Sequence, residues 1–357
     1  MPGDATTIAL SRNYEEFTKL IHKLRPDIFT TTWSGGEYGK EVDFIMDYAY
    51  PTIWQPHPGY ECGQARLDYI FDRHRARQKV KKLKPVWGLT GWWSDDLEGK
   101  PDWCVDDFRL NTIMALVKGA KGILWFTVWG SKKPIERGMP GAGIFSRYDL
   151  MNECKFWADF IHKYGGMFSK FEWKPSKKVA VLLSETNYAG YLCKRNMPIG
   201  FDRIYPAMRV AGIPVDLITD DYIKDGRLNQ YKALFLFGFN YTSKSLWEKI
   251  NKFSKTPGKL VFCDSSTKLV PERAIKLNFN AFETARVKER WGMNVLLATM
   301  NQQVKFLREN VLPYLGDISE VEITGSNFVA PFFLYSNEAK FFALVNYNIF
   351  NPQEVSV

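Results

Sequence analysis

The sequence predicts an α/β protein: a partial (β/α)8 TIM-type barrel, then a Rossmann- or flavodoxin-like α/β domain, then a short β segment. Three observations predict it. Apolar runs alternate with helix-periodic stretches through residues 1–170. The alternation restarts after "FEWKPSKK" (171–178), which reads as a linker. From residue 320 short aromatic runs with turn signals replace the helices.

The elements follow in order. "NYEEFTKLIHKL" (13–24) spaces Phe17, Leu20, Ile21 and Leu24 as one helical stripe, and "DIFTTTW" (27–33) is a β-branched, aromatic strand. "VDFIMDYAYP" (42–51) is a second strand, closed by Pro51, and residues 65–83 form a helix. "KPVWGLTGWW" (84–93) is a third strand. "VDDFRLNTIMALVKG" (105–119) is a helix stopped by Gly119, and "KGILWFTVWG" (121–130) a fourth strand. "DLMNECKFWADFIHKYGG" (149–166) reads as a helix closed by its two glycines. Near-continuous apolar strands imply a parallel sheet covered on both faces. Four such units make half of an eight-stranded barrel, which takes about 250 residues when complete. The second α/β set has strands at 179–186, 214–219, 233–238 and 259–265, with helices at 201–212, 243–253 and 301–316. Beyond 319, "EVEITG", "APFFLYSNE", "KFFALVNYN" and "EVSV" read as strands, with "SNE" as a hairpin turn. The domain bounds are therefore 1–172, 173–318 and 319–357.

Composition narrows the function. Trp 12, Tyr 17 and Phe 26 make 15% of the chain, either as large cores or as platforms for sugar rings. Net charge is +9, but the densest basic run, "DRHRARQKVKKLK" (72–84), reads as the solvated face of a helix, so nucleic acid is not expected as a partner. No run approaches the ~18 apolar residues of a membrane span. No signal-peptide core opens the sequence, and Cys62, Cys104, Cys154, Cys193 and Cys263 are scattered without a CxxC pair. Reduced thiols and a cytoplasmic location are expected. The second domain lacks GxGxxG and the Walker lysine, and no His/Cys/carboxylate group has metal spacing; neither cofactor nor metal is expected.

The succession of these segments resembles the β-galactosidases of glycoside hydrolase family 42. "RLNTIMALVKGAKGILWFTVWG" (109–130) is similar to the last helix and strand of that family's barrel. "VDFIMDYAYPTIW" resembles its sixth strand, "KPVWGLTGWW" its seventh, and "KVAVLLSETNYAGY" the opening of its amidotransferase-like domain, which mediates trimer formation. "FFALVNYN" resembles the start of its C-terminal β domain. The resemblance implies that the chain carries barrel strands four or five to eight. Strands one to four are then missing, and the protein is either a piece or one half of a barrel closed by a partner chain. The family's fourth strand delivers a Glu as general acid/base where Ala5 stands here, next to Asp4. Its seventh delivers a nucleophilic Glu in the region of Leu89, Thr90 and Gly91.

Glycoside hydrolysis needs two carboxyl groups flanking the scissile bond, and parallel barrels present them at strand C-termini. Acids at predicted strand ends are Asp4, Asp47, Asp95 and Asp96, with Glu136 in the loop after the last barrel strand. We take Asp4 with Asp95 or Asp96 as the catalytic pair, supported by Asp47, and Glu136 as a substrate contact. Each has a plainer alternative: a chain end for Asp4, an interior ion pair for Asp47, an N-cap or solvated loop for the others. Trp33, Tyr50, Trp54, Trp92, Trp93 and Trp129 fall at or beyond strand ends, where aromatic rings pack on sugar C–H faces. His57, in "QPHPGY", is placed to bond a sugar hydroxyl. Two functions remain open: a glycoside hydrolase acting on β-galactoside-type or related oligosaccharides, or a catalytically degenerate protein that binds carbohydrate or scaffolds an assembly. An amidotransferase is set aside because no His follows residue 162 and Cys263 sits inside a strand.

Overall fold

The computed structural model describes residues 5–33, 42–49, 63–77, 86–91, 102–126, 148–193, 201–282, 292–318 and 321–347. After helix α1 (Ala5–Leu24), four strands form one parallel sheet in sequential order: β1 (Thr31–Trp33), β2 (Phe44–Ala49), β3 (Val86–Gly91) and β4 (Gly122–Phe126). Helix α2 (Gly63–Arg77) follows β2 and packs on β2 and β3; α3 (Asp102–Val117) follows β3 and packs on it. β3 and β4 are thus each entered from a helix packed on the sheet, the crossover that parallel pairing needs. Helix α3 ends as the sequence predicts. Gly119 adopts φ +72°, its N–H donates to Leu116 O (2.8 Å), and Ala120 N donates to Ala115 O (2.9 Å). This is the Schellman arrangement, open to glycine because a Cβ is disfavoured at that φ.

Helix α4 (Tyr148–Phe168) packs on α3 and runs through Gly165 and Gly166, past its expected end. Two interior glycines cost about 1 kcal/mol each. The aromatic column Phe160, Tyr164 and Phe168, with ring centroids 5.0 and 5.9 Å from Phe160, offsets that cost.

The second sheet holds β5 (Val179–Leu183), β6 (Val215–Thr219), β7 (Ala233–Leu236), β8 (Leu260–Cys263) and the short β9 (Ile275–Lys276), all parallel, in the order β6-β5-β7-β8-β9. Every residue of β5, β6 and β7 is buried. Alternate residues divide between two cores. Val179, Val181, Val215, Leu217 and Phe235 face one core, while Ala180, Leu182, Ile218, Leu234 and Leu236 face the other.

Between these strands lie α5 (Glu185–Cys193), α6 (Phe201–Val210), α7 (Asp220–Lys224) and α8 (Lys244–Lys255). Helix α8 is capped by the Ser243 hydroxyl, which accepts from Leu246 N (3.3 Å). Helix α5 begins where the sequence reading extends a strand to residue 186. Ser184 ends the strand by accepting from Asn187 N on its hydroxyl (3.1 Å) and from Tyr188 N on its carbonyl (3.0 Å). Helices α9 (Gly292–Asn310) and α10 (Leu312–Leu315) replace the single helix expected at 301–316.

Strands β10 (Val329–Tyr335) and β11 (Lys340–Asn346) form the expected hairpin, closed by Ser336 N donating to Ala339 O (2.8 Å). Residues 321–325 contribute no more than an isolated bridge at Thr324, instead of the expected strand. The first core joins all parts: Phe71, Leu110 and Met114 from α2 and α3 pack with the second sheet, with α9 and with the hairpin's Phe332 and Val345. Among the described residues no helix is long and apolar enough to cross a membrane.

Candidate functional site

The carboxyl edge of the first sheet is where parallel α/β folds place chemistry. Its described ends are Trp33, Ala49, Gly91 and Phe126. The pairing sets these ends side by side: Trp33 with Met46, Ala49 with Thr90, and Gly91 with Phe126. Two sequence-predicted site residues lie on these strands. Trp33 is the last residue of β1, and Asp47 lies in β2 in register with Gly88. Asp4, Tyr50, Trp54, His57, Trp92, Trp93, Asp95, Asp96, Trp129 and Glu136 fall outside the described residues. In the chain, Tyr50 directly follows the end of β2 and Trp92 that of β3.

At the opposite end of this sheet, where β4 begins, the structure buries a cluster of charge. Lys118, in the turn feeding β4, donates to Asp68 (2.7 Å) and Asp72 (2.5 Å) of α2. Arg209 of α6 donates through Nε to Asp68 (3.1 Å) and through Nη2 to Asp72 (2.5 Å). Arg75 binds Asp72 (3.0 Å) and the carbonyl of Lys118. The hydroxyl of Tyr205 donates to Asp72 (2.6 Å), and that of Tyr347 to Asp68 (3.2 Å). Burial alone raises the Asp72 pKa, but Lys118, Arg209 and Arg75 outweigh it and hold the carboxyl far below the usual range. For Lys118, burial and the neighbouring guanidiniums outweigh the two acids and lower its pKa. Burial drives both tyrosines well above their ordinary range.

The cluster corrects the reading of a solvated face for residues 72–75, where Asp72, His74 and Arg75 are all buried; residues 78–84 lie outside the described ones. The i, i+4 pair Asp68 and Asp72 was visible in the sequence. Arg75 is a local partner at i+3 from Asp72, but Lys118, in the turn after α3, and Arg209, on α6, are distant in sequence, so no local pattern announces them.

The second sheet's own carboxyl edge is filled by its own side chains. The strand order reverses between β5 and β7, the place where such sheets take ligands. There Asn187 donates to Gly238 O (3.0 Å) and accepts from Asn240 N (2.8 Å) and Tyr241 N (3.0 Å). Tyr191 donates to the same Gly238 carbonyl (2.8 Å). Gly238 sits at φ +56°, and a Cβ there would meet Phe282 at 2.5 Å. Cys263 is 1% exposed within β8, and burial pushes its thiol up to about 12. An inert, protonated thiol matches a core residue and not a nucleophile. No group of three or more potential metal ligands occurs among the described residues.

No protein-family model matches the chain, and no curated protein matches its sequence. Solved structures do. A catalytic mutant of a GH42 β-galactosidase from G. stearothermophilus matches 92% of this chain over 59% of its own, with TM-score 0.59 at 13% identity. The chain resembles GH42 β-galactosidases over most of its length, at low sequence identity. An apo GH42 exo-carrageenase from Bacteroides ovatus matches 95% of this chain and 48% of its own (TM-score 0.57, 12% identity). An α-L-fucosidase from Paenibacillus thiaminolyticus matches 94% and 60% (TM-score 0.57, 10% identity). The GH42 likeness is one of fold, and the chain spans about half the length of these structures.

Proposed function

We propose that the chain is a glycoside-hydrolase-like protein acting on β-galactoside-type or related oligosaccharides by carboxylate-pair hydrolysis. In this reading residues 1–172 supply strands four or five to eight of a glycosidase-type barrel. Residues 173–318 form an amidotransferase-like, flavodoxin-ordered α/β domain, and 319–357 begin an antiparallel β domain. The observation that carries it is the fold likeness to glycoside hydrolases, extending over 92% of the chain in the β-galactosidase comparison. The sequential parallel order β1-β2-β3-β4 supports it, because a barrel wall is built that way. Among the described residues β1 pairs only with β2, and β4 only with β3. The helical stripe Phe17, Leu20 and Leu24 of α1 is exposed at 61%, 49% and 68%, with Phe29 beside it at 80%. Apolar surface of this kind marks an interface. It suits further βα units, whether from a partner chain or in a homo-oligomer such as a trimer.

The chemistry would fall to Asp4 with Asp95 or Asp96, supported by Asp47. One acid protonates the leaving oxygen, while the other attacks the anomeric carbon or activates water. Trp33, Tyr50, Trp54, His57, Trp92, Trp93, Trp129 and Glu136 would hold the sugar. The alternative, sugar binding or scaffolding without cleavage, is favoured by one sequence observation: Ala5 and the Leu89–Gly91 region stand where the family's two Glu residues are expected. Nitrophenyl β-galactoside and related nitrophenyl glycosides separate the two, with sugar binding followed in parallel by tryptophan fluorescence. We expect turnover that falls at least about 100-fold in Asp95→Asn or Asp96→Asn, the scale of a lost acid/base group. Binding without turnover, unchanged by either substitution, would sink the hydrolase reading and leave the degenerate one.

A further inference from the structure

A cleft of about 60 Å³ opens beside the buried charge cluster, at the meeting of α3, the 171–178 segment, α6, β6 and β10. Its wall includes Lys118, Trp173, Lys174, Arg209, Asp216 and Tyr335. Two cations in that wall have unused donors. Arg209 spends Nε and Nη2 on Asp68, Asp72, Tyr205 and the Val215 carbonyl, whereas its Nη1 has no partner among the described residues. Lys174 lies over the Tyr335 ring at 5.7 Å and makes no hydrogen bond or ion pair among the described residues. We propose that this cleft is a binding site for a small tetrahedral oxyanion of the phosphate or sulfate class, held between Arg209 Nη1 and the Lys174 ammonium.

Charge, chemistry and size agree on this ligand. Arg75, Lys118 and Arg209 pair with Asp68 and Asp72, and the charge of Arg209 also acts on Asp216, so among the described residues the buried charges stand three against three. Asp216 is the acid of the cleft wall. Its oxygens accept from Ser176 N (3.0 Å), Ser176 Oγ (3.2 Å) and Lys177 N (2.8 Å), and burial raises its pKa. The exposed Lys174 of the cleft wall adds a fourth cation against these three acids among the described residues. An anion would neutralise that added charge, and guanidinium with ammonium is the usual donor set for an oxyanion. A water needs roughly 10–15 Å³ by this measure, so the cleft has room for about four to six waters. That is room enough for a sulfate or phosphate. The site is separate from the carboxyl edge of β1–β4 and does not rest on the hydrolase reading.

Calorimetric titration of the 357-residue chain with sodium phosphate and with sodium sulfate, against sodium chloride at matched ionic strength, tests the proposal. We expect saturable binding of either oxyanion and none of chloride. Lys174→Ala removes an exposed side chain and leaves the fold intact; it should weaken binding about tenfold, the worth of one charge-assisted hydrogen bond. Lys252→Ala, on the exposed face of α8, should leave binding unchanged. Heats no different from chloride overturn the proposal. So does wild-type affinity in Lys174→Ala, or an equal loss in Lys252→Ala, which would mark diffuse attraction to a basic surface.

Discussion

Asp72→Asn is expected to lower the unfolding free energy by about 3–5 kcal/mol, the cost of removing one partner from a buried ion pair. Asp72 accepts from Lys118, Arg209, Arg75 and Tyr205, and its side chain is 1% exposed. The amide cannot offset three cations, and it brings N–H donors to a site already crowded with donors. Urea unfolding followed by far-UV circular dichroism measures the loss. A change under about 1 kcal/mol would mean that water reaches the cluster.

The same residue gives a pH dependence. Its folded pKa lies below the unfolded value of about 3.9, so the folded state holds the charged form more tightly. Its contribution is therefore complete at neutral pH and is lost as pH falls below about 4, towards the folded pKa. The gap between wild type and Asp72→Asn should close over that range.

Phe235→Ala is expected to cost about 3–5 kcal/mol, as for buried aromatic truncations elsewhere. Phe235 is 0% exposed at the centre of the second sheet, on β7 between β5 and β8. It stacks on Phe262 at 4.7 Å with the rings 15° apart and leans on Phe237 at 5.6 Å. Strands on both sides hold the backbone in place, so the site cannot collapse to fill the void. Phe342→Ala, at a ring 38% exposed on the hairpin, should cost under about 1 kcal/mol. The first core runs without a break from α2 and α3 to β7 and the hairpin. The loss at Phe235 should accordingly shift one cooperative transition, reported equally by tryptophan fluorescence and by circular dichroism. Two separated transitions would show that the sheets unfold independently.

What could be read from the sequence depended on how local its physical cause was. Strands β5, β6, β7 and β8 were legible to within a few residues because burial on both faces writes a continuous apolar run. The Gly119 stop and the 336–339 turn were legible because their chemistry is complete within a few positions. Helix α4 overran its glycines because aromatic packing outweighed propensity. The start of α5 was signalled by Ser184, whose capping hydroxyl fits the "SET" run better than a strand does. The charge cluster was not legible. It joins Asp68 to Tyr347, 279 positions away, and acids on a helix ordinarily face water. Of the candidate site, the sequence placed Trp33 and Asp47 on strands that the structure contains, while the other expected residues lie outside the described ones.

Hydrogen exchange with and without a saturating galacto-oligosaccharide tests the central claim most directly. We predict slowed exchange in residues 34–41, 50–62, 92–101 and 127–147, the segments that follow β1 to β4, with little change across β5 to β8. No slowing at any concentration of sugar, or slowing confined to residues 173–318, would contradict it.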